Sequence, residues 1–508
     1  MPSTIISPIT KSSASIHRRA VDRAPTEILS MIFNAALLPD AIALWDRRLE
    51  AMWVALAVSQ VCRRWRQISC SAPQLWKNIT IGLPFTTGKR ALVALSLARS
   101  GSVPLDINLD VRNPDYDGDN DVPPGEPQEM LDCLELIVPH AQRWGNLDVI
   151  CDTLPVMRAF LERTKDIRPR QLARIALMRP NPLFAALGMD PEPDELDSLP
   201  LFSGSLPALK EVVLHGAHVD WASSALQDLA HLDLRFQTEF VMPSWERFVD
   251  VARASPHLQS LALVGCGPDL DEIHTCRAAP TTDTLAFPSL TAFSLGYLHA
   301  ESARKLLGLI SMPQLQHLTI EDADYLHGPG DARGDSTPLI ASLAQRSPRA
   351  TSRPPGAALN LARITVLELV TVRASEAAFA RLFSGLLALE ELRLVKMQPD
   401  IFSALAPTEL PARGKEIRPC AKLRRIECRH MDASSLIPVL HKRRVAAAEG
   451  TPMPNFVQAL TLRDCLSLAA EELDAFRSLG IRVIIERYED DLSDMNSEGD
   501  DDDSYEDL

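Results

Sequence analysis

One phrase recurs through most of this 508-residue chain: apolar, two variable residues, apolar, one variable residue, apolar. It stands at Leu172/Ile175/Leu177, Leu209/Val212/Leu214, Leu229/Leu232/Leu234, Leu258/Leu261/Leu263, Leu290/Phe293/Leu295 and Leu315/Leu318/Ile320. It returns at Ile364/Leu367/Leu369, Leu389/Leu392/Leu394, Leu423/Ile426/Cys428 and Val457/Leu460/Leu462, with a shortened copy at Val483/Ile485. The last two apolar residues of a copy are two apart, the period of an extended strand, so both face one side and the residue between them faces the other. So short a strand buries almost nothing alone. Copies returning at intervals of about 20–35 residues must stack, each covering its neighbour, which is the pattern of a solenoid. Val103 to Leu109 and Trp144 to Val149 read as two further strands ahead of the first full copy.

The intervening stretches supply a second layer. Ser375 to Leu386 places Phe379, Leu382, Phe383 and Leu386 on one helical stripe with Ser375 fitting an N-cap, and Ala470 to Leu479 and Glu301 to Ile310 read alike. The phrase resembles the core of leucine-rich repeats, and right-handed strand–helix alternation then gives a curved horseshoe. That family places Asn or Cys three residues after the last apolar position. Here the place holds Ala217, Cys266, Leu298, Ala323, Val372, Met397, Met431 and Cys465, a mostly hydrophobic column that makes the array irregular. The alternative is a set of unrelated βα units in a conventional sheet. Stretches rich in Pro, Gly, Asp and Ser at 113–127, 181–200 and 331–356 read as mobile loops, and the third accounts for the doubled interval between the copies at Leu315 and Ile364.

A hydrophobic content of 46% allows a large core. No run of 18 apolar residues exists, so no membrane span is expected. Residues 1–20, Ser/Thr-rich, read as a disordered leader, although the lack of acidic residues before Asp22 leaves a mitochondrial presequence open. Nine cysteines, without a Cys-x-x-Cys pair, fit buried free thiols in a reducing compartment, cytoplasmic and/or nuclear. His274 and Cys276 lack a second close pair, so no metal and no cofactor is expected. The net charge of −15 is concentrated in residues 489–508, which carry eleven Asp or Glu and no Lys or Arg and read as an acidic disordered tail. This balance opposes nucleic-acid binding, and Lys442, Arg443 and Arg444 read as a solvated helix end.

The N-terminal segment is of another kind. Ile28, Leu29, Ile32, Phe33 and Ala36 form one helical stripe, and Val54, Val58, Val61, Cys62, Trp65 and Ile68 form a second, giving two short amphipathic helices. A unit of about 55 residues cannot hide both stripes, so part of this surface should meet another protein or the next domain. Pro25, Glu27, Ile28, Leu29, Ile32, Phe33, Val58, Val61, Cys62, Arg63, Trp65, Leu75 and Trp76 together resemble the F-box family. Ala24 departs from the usual Leu, and Pro39 to Arg48 lengthen the link between the helices. The resemblance implies that Pro25, Ile28, Leu29, Ile32, Phe33, Val58, Val61, Cys62 and Trp65 bind a Skp-type adaptor and through it a cullin. The alternative is an ordinary helical cap on the downstream domain.

The expected organisation is therefore an α/β solenoid: a helical F-box-like domain at 21–80, then an irregular leucine-rich-repeat horseshoe at 81–488, an arrangement resembling fungal F-box proteins. On the outward strand positions Arg393, Arg425, Arg429 and Arg463 offer forks for an acidic or phosphorylated protein substrate, or else are solvated or paired with Glu391 and Glu427. No phosphate loop, His-Glu-x-x-His or Gly-x-Ser-x-Gly motif occurs. The reading is a non-catalytic substrate receptor of a ubiquitin ligase. Its rivals are a repeat scaffold without a ligase role and an enzyme with a site assembled from distant residues.

Overall fold

The computed structural model describes residues 24–37, 45–113, 115–116, 125–179, 198–204, 206–224, 226–237, 242–268, 270, 284–323, 334–345, 359–409, 416–417, 419–448, 457–465 and 468–486. They belong to two compact units, residues 1–258 with 266–277 and residues 259–265 with 278–508.

The first unit opens with three helices, where two were expected: α1 (Thr26–Ala35), α2 (Trp45–Val61) and α3 (Arg63–Cys70), followed by a 3-10 turn, Pro73–Trp76. The stripe read as one helix breaks at Cys62, whose backbone is extended and whose Sγ accepts the Trp65 N–H at 3.4 Å. Cysteine is an unusual N-cap, so periodicity runs through the break unmarked. Trp45 to Arg48, expected in the link, are the first turn of α2. Leu29, Phe33, Leu37, Ala55, Ile68, Leu75 and Trp76 form the core of this helical part, with the Phe33 and Trp65 rings 4.8 Å apart. Trp76 is buried and its indole N–H donates to the Ser69 carbonyl at 2.8 Å.

Six parallel strands follow in chain order: β1 (Asn78–Gly82), β2 (Leu105–Val111), β3 (Trp144–Cys151), β4 (Arg174–Met178), β5 (Glu211–His215) and β6 (His231–Arg235). The inward pairs from Ile79/Ile81 through Leu232/Leu234 are no more than 3% exposed. β1, which the sequence reading missed, is followed by α4 (Thr87–Arg99), which packs on β1 and on the Pro73–Trp76 turn. Leu95 packs on the helical core and the Arg99 guanidinium lies 4.4 Å over the Trp76 ring, so the three helices and the first strand share one wall. Helices α5 (Pro127–Ile137) and α6 (Leu154–Thr164) bury Met130, Leu134, Phe160 and Leu161 in the second layer, and α7 (Trp245–Arg253) closes the unit's series. Both ends of the stretch 113–127 are tied down, because the Asp152 carboxylate accepts the N–H groups of Asn113 (2.8 Å) and Gly125 (3.2 Å).

In the second unit eight strands pair in parallel and in chain order: β7 (Ser260–Val264), β8 (Ala292–Tyr297), β9 (His317–Asp322), β10 (Val366–Val370), β11 (Glu391–Val395), β12 (Arg425–Arg429), β13 (Ala459–Arg463) and β14 (Arg482–Glu486). Helices α8 (Ala300–Leu309), α9 (Thr337–Gln345), α10 (Glu376–Gly385), α11 (Leu436–Ala448) and α12 (Ala470–Ser478) occupy the connections. Each unit is thus a solenoid-like series of parallel strands with mostly helical returns. Helix α9 lies inside the stretch 331–356 expected to be a loop. Its Leu339, Ile340 and Leu343 are fully buried, and the Pro- and Ser-rich flanks concealed so short an apolar run. Ser375 sits at the N-cap of α10 without a capping side-chain bond. Arg443, expected to be solvated, is 3% exposed and donates to the carbonyls of Leu405, Pro419 (both 2.8 Å) and Cys420 (3.1 Å).

Strand ends share a device that the sequence hides. Gly216, Phe236, Gly265, Thr371, Lys396, His430 and Asp464, each two residues past the last apolar position, have φ between 48° and 62°. A non-glycine residue there costs about 1–2 kcal/mol. The bend turns most of their N–H groups toward the next strand, as in Lys396 to the Arg429 carbonyl and Thr371 to the Val395 carbonyl, both 2.9 Å. In the next column Ala217, Ala323, Val372, Met397 and Met431 are buried, whereas Leu298 is 40% exposed. Cys266 and Cys465 donate to the carbonyls of Leu234 (3.3 Å) and Cys428 (3.2 Å), and Gln237, overlooked in that column, donates to Leu214 at 3.0 Å.

Trp76→Ala should cost the first unit about 3–5 kcal/mol, the penalty for deleting a fully buried large aromatic side chain. Hydrogen exchange would show faster amides in α3 and β1, with β10 to β13 unchanged.

Candidate interaction surfaces

Helix α1 carries two apolar stripes side by side, and only one is used internally. Leu29 and Phe33, one turn apart, are 2% exposed in the helical core. Ile28, Met31 and Ile32 lie on the adjoining face and are 45%, 67% and 55% exposed. On α2 Trp53 and Val61 are likewise exposed, as is Cys62 beyond it. Of the residues expected to meet an adaptor, the structure therefore leaves Pro25, Ile28, Ile32, Val61 and Cys62 at the surface and Val58 and Trp65 half-buried. Leu29 and Phe33 are corrected: they fill the domain's own core and have no free face. Met31 and Trp53 were missed, although Met31 stands three residues from Ile28 on the same face. Ala24, where a larger residue was expected, packs partly buried against the core, and its carbonyl accepts a hydrogen bond from Arg64.

The outward positions of the second unit form an ionic lattice. Parallel register sets Glu391 beside Arg425 and Arg393 beside Glu427. Arg393 bonds Glu391 at 2.6 Å, Arg425 bonds the other oxygen of Glu391 at 2.6 Å, and Arg429 bonds Glu427 at 2.6 Å. Arg463 reaches Glu486 at 2.7 Å and Glu427 at 3.3 Å. The four arginines proposed for substrate are thus paired with Glu391, Glu427 and Glu486, the other arrangement open to them. Burial pushes the Glu391 carboxyl up, but hydrogen bonds from Arg425 and Arg393 outweigh it and hold the pKa below the ordinary value. Arg393 shows the converse: burial lowers it, and Glu391 leaves it raised overall.

In the first unit the corresponding face is more acidic, and Asp148 on it is almost fully buried. Arg174 bridges Asp148 and Glu211, the latter at 2.8 Å, while Asn146 donates to Asp106 at 2.6 Å. Asp233 accepts from Arg235 at 2.9 Å and lies 3.4 Å from His215. Burial raises its carboxyl, yet the bonds from His215 and Arg235 prevail and its pKa is lowered.

Among the described residues no group of three or more His, Cys, Asp or Glu is placed to hold a metal ion, and His274 and Cys276 lie outside them. The described cysteines are free thiols; burial pushes those of Cys133, Cys151 and Cys420 up to about 12, which keeps them protonated and unreactive. No described helix is long and apolar enough to cross a membrane.

Residues 22–82 match the F-box-like family. The chain therefore carries an F-box-like domain ahead of its parallel-strand units. No curated protein matches the chain. Among solved structures it is similar to the crystal structure of the Rad7 and Elc1 complex in yeast, at 12% identity over 94% of this chain and 98% of that one, with a TM-score of 0.28, below what a shared fold requires.

The depressed Glu391 carboxylate contributes stability that is present above its unfolded value, 4.5, and is lost as pH falls through the lower folded value. Protection of the β11 and β12 amides, measured against their intrinsic exchange rates, should fall as the pH drops below 4.5, and Glu391→Gln should flatten that dependence.

Proposed function

We propose that this protein is the substrate-recognition subunit of a Skp/cullin/F-box-type ubiquitin ligase. The F-box-like domain binds a Skp-type adaptor, and through it a cullin; an irregular leucine-rich-repeat array binds a protein substrate. The protein itself makes and breaks no bonds. It holds the substrate near a charged enzyme, and the gain is one of proximity. A partnership with that adaptor and cullin goes with a cytoplasmic and/or nuclear location.

The observation that carries this reading is the second apolar stripe of α1. A domain whose core is already filled by Leu29, Phe33 and Trp76 still presents Ile28, Met31 and Ile32 to solvent, on the segment that matches the F-box-like family. Contiguous exposed apolar surface of this kind fits an adaptor groove. Truncating or charging an interface anchor costs about 2 kcal/mol or more, roughly 30-fold in affinity.

Ile28→Asp with Ile32→Asp should abolish binding of a purified Skp-type adaptor by calorimetry while leaving the circular dichroism spectrum intact. Arg425→Ala should leave that affinity unchanged. If wild-type protein fails to bind any Skp-type adaptor and cullin, the second reading stands: a repeat scaffold that gathers protein partners without ubiquitin transfer. Ala24, in place of the family's usual Leu, is compatible with that reading.

A further inference from the structure

On the outward face of the second unit, strand register sets opposite charges level in two rows and like charges level in a third. Glu368 of β10 stands beside Arg393 of β11, and Arg393 beside Glu427 of β12. Nearer the start of the strands Glu391 stands beside Arg425. At the ends of β12 and β13, by contrast, Arg429 and Arg463 stand directly beside each other. Like charges level on neighbouring strands oppose their pairing, so the fold carries a cost here that the other rows avoid.

The nearby carboxylates relieve it in part. Glu427 lies 2.6 Å from Arg429 and 3.3 Å from Arg463, and it is shared with Arg393 at 3.9 Å. Glu486 lies 2.7 Å from Arg463, yet the Nε–H of Arg463 is buried with no acceptor in line. The hydrogen bond of Arg429 to Glu427 also runs through Nε. The terminal nitrogens of both guanidiniums make no hydrogen bond with a described group, and the two side chains are 32% and 41% exposed. Pairing thus holds these arginines in place without using up their donors.

The same row continues on the other side of Arg429 with Val395 and then Val370. Both valines face outward and are half-buried. Strands lie about 4.8 Å apart, which puts the middle of the valine step about 10 Å from the middle of the arginine pair. Three residues of polyproline-II chain span about 9 Å and return the side chain to the same side.

We propose that this row docks a segment of a protein substrate that carries an aliphatic residue and, three positions away, a carboxylate. The aliphatic side chain covers Val370 and Val395, and the carboxylate accepts hydrogen bonds from the terminal nitrogens of Arg429 and Arg463. Glu427 and Glu486 repel a dianion more strongly than a monoanion, which favours a carboxylate over a phosphate. That the bound protein is a substrate rests on the function proposed above; the site lies apart from the F-box-like domain, and its test needs no adaptor.

The test uses the full chain and two fluorescent peptides, Leu-Pro-Pro-Glu and Glu-Pro-Pro-Leu, each flanked by Gly and Ser and read by anisotropy. The tighter of the two should lose about tenfold in affinity when its Glu is changed to Gln, and a similar amount with Arg429→Gln or Arg463→Gln in the protein. Arg425→Gln, in a row where charges already alternate, should leave the affinity unchanged, and circular dichroism should show all three variants folded. Equal binding of the Gln peptide, an equal loss with Arg425→Gln, or no binding of either peptide would overturn the proposal. Tighter binding of a peptide with phosphoserine in place of Glu would overturn the choice of a carboxylate. Adaptor binding measured on the same preparations separates the two readings, since an intact adaptor affinity beside failed peptide binding would sink this site alone.

Discussion

Each strand in this protein completes the burial of the one beside it. A five-residue strand projects only two side chains inward, and they become dry only when a strand in the same register lies alongside. Leu392 and Leu394 are covered because Ile426 and Cys428 stand level with them, and those in turn because of Leu460 and Leu462. The lattice of Glu391, Arg393, Arg425 and Glu427 on the other side of the strands is a by-product of the same register. Shifting one strand by a single residue would expose the apolar pairs and disperse the ion pairs together.

Keeping that register through returns of unequal length requires a fixed exit from each strand. The left-handed residues supply it. Thr371, Lys396, His430 and Asp464 adopt nearly the same φ despite unrelated side chains, and all four give their N–H to the next strand. The turn is imposed by the neighbouring strand, which accepts the hydrogen bond, and local preference yields to it. A similar logic explains why Gln237, Cys266 and Cys465 point at strand carbonyls. Where the column is apolar, packing of Val372 or Met397 fills the space instead.

This separates what the sequence revealed from what it concealed. The strands were legible because period-two burial is written directly in residue type, and every full copy of the apolar phrase is a strand. The left-handed exits were not, since only Gly216 and Gly265 among them carry the residue that signals positive φ. On α1 the apolar content was legible but its division was not. Ile28, Leu29, Ile32 and Phe33 fall on one broad stripe, and periodicity cannot tell which half a neighbouring helix will cover. The break at Cys62 and the buried Arg443 escaped notice for a related reason: both depend on which backbone groups lie nearby, a property of the folded chain. The Arg–Glu pairs stood as one of two options because strand register places oppositely charged positions side by side.

The division of α1 also governs how a partner bound there would be held. Ile28 and Ile32 are adjacent along the helix to Leu29 and Phe33, so the direction of the exposed face is fixed by how the core residues seat. Their seat includes Trp76, and Trp76 is clamped between the Ser69 carbonyl and the Arg99 guanidinium, which belongs to the helix after β1. A partner on α1 therefore pulls on a wall shared with the first strand, with no flexible tether between them. Under the receptor role proposed above this would matter, because effective concentration falls when the link between two sites is loose. The helical domain is too small to be rigid alone, and β1 with α4 supplies the missing side of its core.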